Sequence, residues 1–185
     1  MCCRFAGGDV VAESLRSRIR EVPDFPQEGI LFYDITTVLK EPRAFREAID
    51  LMAEEFRGVP VDVVVAMESR GFIFGAPLAY ILGAGFAPIR KLGKLPAETV
   101  TRQYTLEYAT NTLEIHRDAV RPGQRVLLVD DLLATGGTIA ASLDIVQELG
   151  GVPVAVVVLV ELPALGGRQR LAAYGVDVVS YITYE

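Results

Sequence analysis

The sequence is poor in the residues that build metal centres and disulfide frameworks. Histidine occurs once, as His116, and cysteine twice, at the adjacent positions Cys2 and Cys3. That scarcity argues against a zinc site of Cys and His ligands and against a set of structural disulfides. A catalytic Cys–His pair would need the N-terminal tail to reach His116, and frayed termini rarely supply such geometry. None of the three is assigned chemistry. Basic charge is also short. Eighteen Lys and Arg against 24 Asp and Glu leave a net charge of -6, so a domain-wide footprint for nucleic acid is missing. No apolar signal-like segment opens the sequence, and the expectation is a cytoplasmic protein with no membrane and no nucleic-acid partner. Residues 71–89 carry no charge, but Gly71, Gly75, Pro77, Gly83, Gly85 and Pro88 interrupt them. A buried helix followed by a buried strand is expected there, not a membrane span. Two phosphate motifs are missing as well. There is no G-x-x-x-x-G-K-[ST], and no G-x-G-x-x-G follows a strand, which argues against a P-loop and against a dinucleotide fold.

What is there is a chain of 185 residues, 51% of them apolar, enough for one buried core and one domain spanning residues 1–185. Asp9 is placed to cap a first helix carrying Val11, Leu15, Ile19 and Val22. A Pro- and Gly-containing break follows at 23–29, then a short apolar segment at 30–35. Pro42 opens a second helix with Phe45, Ile49, Met52 and Phe56 on one face. Apolar strands are expected at 61–67, 85–89, 125–129, 152–160 and 176–183. Helices are expected at 72–82, 138–149 and 167–174. This alternation predicts an α/β fold with a mostly parallel central sheet flanked by helices. Residues 90–107 are polar and basic and read as a loop, and 113–116 alternate like an exposed strand.

The segment richest in chemistry is 126–138. Four apolar residues end in Asp130 and Asp131. Ala134, Thr135, Gly136, Gly137 and Thr138 then turn into a helix. Ligands of open α/β sheets gather at the carboxyl ends of strands. A small-residue turn at a helix N-terminus presents backbone N–H groups to an anion. Adjacent carboxylates repel a phosphate and suit ribose hydroxyls, or water on a magnesium ion. The order therefore points to a sugar phosphate, with acids for the sugar and backbone for the phosphate. A second candidate is Glu68, Ser69, Arg70 and Gly71, between a buried strand and a helix. Arg70 supplies a planar cation there, and Gly71 permits close backbone approach. Arg90, Lys91 and Lys94 form a basic cluster.

These residues resemble the type I phosphoribosyltransferases, and the wording of 129–138 resembles their adenine-using members. The likeness extends through Pro23, Asp24, Phe25 and Pro26, through 29–32, 68–72, 90–96 and 106–108, and through 113–116. The resemblance implies a small N-terminal hood over residues 22–38 and a mobile flap over 93–110. It implies transfer of the 5-phosphoribosyl group from 5-phospho-α-D-ribose 1-diphosphate to adenine, giving AMP and diphosphate. Mg2+ is implied through substrate and water, with no direct protein ligand, and the assembly implied is a homodimer.

By the same likeness, Ala134, Thr135, Gly136, Gly137 and Thr138 hold the 5-phosphate, and Asp130 and Asp131 accept the ribose hydroxyls. Glu68, Ser69, Arg70 and Gly71 form the diphosphate loop, with a cis peptide between Glu68 and Ser69. Lys91 and Lys94 contact diphosphate, and Arg90 reaches the neighbouring subunit's site. Glu107 is the catalytic carboxylate, with Tyr108 shaping the closed flap. Phe25, Ile30, Leu31 and Phe32 meet the base, Phe25 serving either as a stacking surface or as core. Tyr33 stands where many relatives have Arg, which removes any ion pair at that position. Two alternatives remain: transfer to another purine base, and a non-catalytic effector-binding regulator of the same fold.

Overall fold

The structure is a computed structural model that describes residues 8–106 and 109–185, with side chains described outside 105–110. Glu107, Tyr108, Cys2 and Cys3, named above, lie outside these residues. The chain divides between Glu55 and Phe56 into two compact units.

In the N-terminal unit, helix α1 (Gly8–Arg16) has Asp9 inside its first turn rather than at the cap. It is shorter than its apolar spacing suggests. Ile19 follows in a turn, and Val22 belongs to strand β1 (Arg20–Val22), which pairs antiparallel with β2 (Phe32–Asp34). Cross-strand pairing has overridden the helical period. A one-turn helix α2 (Thr36–Leu39) precedes α3 (Pro42–Glu54), which has Pro42 in its first turn as expected. The buried face of α3 is Ala44, Ala48, Ile49 and Met52, and Phe45 is only half-buried. Leu15 of α1 is fully buried, and α1 packs on α3.

The C-terminal unit is built on a seven-stranded sheet. Its strands are β3 (Val63–Met67), β4 (Gly85–Lys91), β5 (Thr99–Leu106), β6 (Ala109–His116), β7 (Arg125–Leu133), β8 (Val152–Glu161) and β9 (Asp177–Thr183). Their order is β5-β6-β4-β3-β7-β8-β9. The run β4-β3-β7-β8-β9 is parallel throughout, while β5 and β6 form an antiparallel hairpin on the β4 edge. Helix α4 (Arg70–Leu82) follows β3, α5 (Gly137–Glu148) follows β7, and α6 (Gly167–Leu171) follows β8.

Alternation along the strands separates two faces. Val63, Val65, Val126, Leu128, Val156 and Val158 share a core with Ile139, Leu143 and Val146 of α5. Val64 and Ala66 face α4, where a Cβ on Gly75 would lie 2.5 Å from that of Ala66, so glycine sets the helix–sheet distance. The uncharged run 71–89 resolves into α4 and β4, and no helix among the described residues is long and apolar enough to cross a membrane.

Two expectations are corrected. Residues 99–106, read as loop, are a strand, because Val100 finds a buried place that its polar neighbours hide. Strand 113–116 is not exposed: Leu113, Glu114 and Ile115 are all buried.

Candidate active site

The carboxyl ends of β3, β4 and β7 meet the N-termini of α4 and α5 around a cavity of about 400 Å³. The acid pair, Glu68, Ser69, Arg70, Lys91 and the turn 134–138 all line it. Parallel strands at a sheet's centre, with β3 and β7 each followed by a helix, put their last residues and the helix N-termini at one edge. That edge is where ligands of such sheets bind.

Strand β7 does not end before the acids, as the apolar run suggests. It continues through them, pairing Leu132 with Val160 and Leu133 with Glu161 of β8. Both carboxylates are therefore fixed by a strand rather than carried on a loop. The Asp131 N–H donates to Oδ1 of Asp130 at 2.9 Å. Asp131 is buried at 5% exposure, and its Oδ2 accepts a hydrogen bond from Nε of Arg70 at 2.5 Å. Asp130 is half-buried. Burial, together with the negative charge of Asp131, pushes its carboxyl well above the ordinary carboxylate range.

After Leu133 the chain turns through Ala134, Thr135 and Gly136. Gly136 is left-handed (φ +74°) and caps α5 without a side chain to occupy the first-turn amides. Its approach to the turn at Gly166 and Gly167 leaves no room for side chains. A Cβ on Gly136 would lie 3.0 Å from the Gly167 carbonyl oxygen, and one on Gly167 only 2.2 Å from that of Ala134. The turn is thus shaped by backbone packed on backbone, and residues 134–138 line the cavity.

Across the cavity the Glu68–Ser69 peptide is cis, as expected. Gly71 is buried, and a Cβ there would lie 2.9 Å from the Val129 carbonyl oxygen. Its smallness serves packing on β7 rather than approach to a ligand. Glu68 accepts Nη2 of Arg90 at 2.9 Å and Nε at 3.3 Å, and the Lys91 N–H at 3.1 Å. The Arg90 hydrogen bonds hold its carboxyl below the usual range despite partial burial. Arg90 is thus engaged with the chain's own loop. Lys91 lines the cavity, whereas Arg90, Lys94 and Gly71 do not.

Sequence reasoning missed Tyr104 of β5, which also lines the cavity. The alternation of Val100, Arg102 and Tyr104 was a signal, diluted by the polar residues between them. In the N-terminal unit Phe25 is 51% exposed and meets Phe32 edge-to-face at 5.1 Å, so it is not core. Ile30 and Leu31, immediately before Phe32, are exposed as well. Among the described residues no cluster of three metal-ligating side chains occurs. An acid pair facing an anion cradle fits a magnesium ion that keeps its waters and arrives with phosphate oxygens.

A parallel sheet with an acid pair running into a small-residue turn at a helix N-terminus has the shape of a sugar-phosphate site. A family model for the phosphoribosyl transferase domain matches residues 34–182, across the boundary between the two units, and the chain belongs to that family. Its relatives there are named adenine phosphoribosyltransferases. That of Thermoanaerobacter pseudethanolicus is 54% identical over 172 residues, covering 93% of this chain and 98% of that protein. That of Solibacter usitatus is 56% identical over 171 residues, covering 92% and 98%. The crystal structure of the Thermoanaerobacter enzyme matches with a TM-score of 0.90, covering 94% of this chain and 99% of that one. The Saccharomyces cerevisiae enzyme, solved with adenine and an imino-altritol bisphosphate, matches at 0.87 with 38% identity, covering 93% and 98%.

Proposed function

We propose that the protein is a cytoplasmic enzyme of purine salvage, and that both units act as one phosphoribosyltransferase domain. It transfers the 5-phosphoribosyl group of 5-phospho-α-D-ribose 1-diphosphate to adenine, giving AMP and diphosphate. The observation that carries the reading is the fixed acid pair of β7 running directly into the amide turn 134–138. First-turn amides of α5 and the hydroxyls of Thr135 and Thr138 donate to the 5-phosphate. Ribose hydroxyls donate to Asp130 and Asp131. Arg70 and Lys91 face the diphosphate, and Lys94 adds charge at the rim. Magnesium brought with the substrate would supply positive charge to the diphosphate, and Asp130 and Asp131 would hold it through water.

In the reaction the C1–O bond to diphosphate breaks, and its electron pair leaves with the diphosphate. N9 of adenine supplies the pair for the new N9–C1 bond and gives up its proton to Glu107, with Tyr108 shaping the closed flap. Charge builds at the ribose ring as the bond opens, so the neighbouring carboxylates stabilise the transition state more than the ground state. Exclusion of water by the flap protects that centre. The base is met by Phe25 and Phe32 as stacking surfaces and by the backbone of Ile30, Leu31 and Phe32. The working assembly is a homodimer, in which Arg90 reaches the neighbouring subunit's site.

A product assay tests the reading. With phosphoribosyl diphosphate and magnesium, adenine should yield AMP, while hypoxanthine and guanine turn over at least ~10⁴-fold less efficiently, because a 6-oxo purine reverses the polarity of the recognised edge. Comparable turnover of hypoxanthine would replace adenine by another base. No turnover of any base would favour the effector-binding regulator.

A further inference from the structure

We propose that Glu114 is a positioning residue for diphosphate, an inference that rests on the assignment of Lys91 and Lys94 to that group. Glu114 lies on β6, opposite Arg90 of β4 in register, and is only 3% exposed. Its strand neighbours Leu113 and Ile115 enter the hydrophobic core on the other face. A carboxylate in such a place is costly unless its oxygens are hydrogen-bonded. Here the bonds come from backbone: Oε1 accepts the N–H of Lys94 at 2.7 Å and of Leu95 at 2.9 Å. The turn 92–95, with Gly93 left-handed at φ +84°, is therefore folded onto the acid.

The other side of the same peptide is held as well. Nη1 of Arg90 donates to the Lys94 carbonyl oxygen at 3.2 Å, and the Arg90 fork rests on Glu68. Glu68 in turn accepts the Lys91 N–H. Two carboxylates reading backbone amides thus hold both ends of the basic turn, and Arg90 ties it to the loop 68–71. Lys91 and Lys94 are long, exposed side chains, and on an unfixed turn they would sample many positions. Fixing their backbone from below lowers the entropy lost when a diphosphate arrives. Glu114 itself touches no ligand in this arrangement.

The test uses the full chain and two probes, inorganic pyrophosphate with magnesium and ribose 5-phosphate, in titration calorimetry. Glu114→Ala should weaken pyrophosphate about tenfold or more and leave ribose 5-phosphate within about twofold, because two charge-assisted bonds to the turn are lost. Glu114→Gln keeps an acceptor oxygen in the same place and should return pyrophosphate to within about threefold of wild type. Glu114→Asp keeps the charge but shortens the reach and should behave as Glu114→Ala does. It gives a second reading if the alanine variant does not fold. In steady state, KM for phosphoribosyl diphosphate should rise with kcat little changed. Equal pyrophosphate affinity in wild type and Glu114→Asp would overturn the proposal, as would parallel loss of both ligands. Failure of the wild type to bind pyrophosphate while binding ribose 5-phosphate would instead overturn the basic-turn assignment.

Discussion

Asp130 is held by β7 against a second carboxylate, and burial together with that neighbour's charge raises its proton affinity. The folded chain then binds a proton where the unfolded chain does not. Stability of the unliganded protein therefore falls as pH rises above the ordinary carboxylate range. Asp130→Asn has no such proton. It should melt at a higher temperature than wild type at pH 7, with the difference closing below the carboxylate range, as thermal melts at several pH values will report. The same variant should raise KM for phosphoribosyl diphosphate by roughly ten- to a hundredfold, the worth of one hydrogen bond to a charged group. Stability gained together with binding lost is the mark of a residue kept for ligand. Glu107→Gln should act differently, lowering kcat by ~10²–10⁴ with smaller changes in KM, since a general base is needed only in the transition state. Steady-state kinetics under chemistry-limited conditions checks it.

The acid pair and the cradle were legible in the sequence because strand, acids, small residues and helix are contiguous. Glu114 and Tyr104 were not legible. Glu114 stands in an alternating strand where a charged residue reads as solvent-facing, and its burial depends on a turn 20 residues earlier folding back. The Arg70–Asp131 pair joins residues 61 apart, which no local pattern encodes.

At the scale of elements, the turn 134–136 is backed by the turn between β8 and α6, which is anchored by an ion pair to the buried Glu161. Glu161, at the end of β8, accepts Nη2 of Arg168 at 2.5 Å and the Ser180 hydroxyl at 2.5 Å, and Arg168 also donates to the Val178 carbonyl at 2.8 Å. Burial works against the Glu161 charge, but these bonds hold its carboxyl below the ordinary range. The cluster's contribution is therefore present above the carboxylate range and lost as pH falls through it. Arg168→Met leaves a buried acid without its cation. It should destabilise toward the lower end of the ~3–5 kcal/mol seen for such losses, because Arg168 is half-exposed. Chemical denaturation should find that deficit at pH 7 and a smaller one in acid, and an equal deficit at both would contradict the ion-pair account.

Elements were legible where burial is continuous, as in β3, β7 and β8, whose apolar runs need no partner to be recognised. The β1–β2 hairpin was hidden by helical spacing that continues through Ile19 and Val22 past the end of α1. The β5–β6 hairpin was hidden by its polar faces. Pairing energy comes from a distant strand, and local periodicity does not contain it.

For the whole molecule, the parallel sheet gathers its strand ends at one edge, and the chemistry follows from what stands there. In the proposed reading acids serve the sugar, amides the phosphate and cations the diphosphate, so no carboxylate meets a phosphate oxygen directly. The most direct measurement is a crystal structure of the protein with AMP. The 5-phosphate is expected within hydrogen-bond distance of the amides of residues 135–138, with the ribose hydroxyls donating to Asp130 and Asp131. A nucleotide bound with its phosphate away from this turn, or with its ribose clear of both acids, would contradict it.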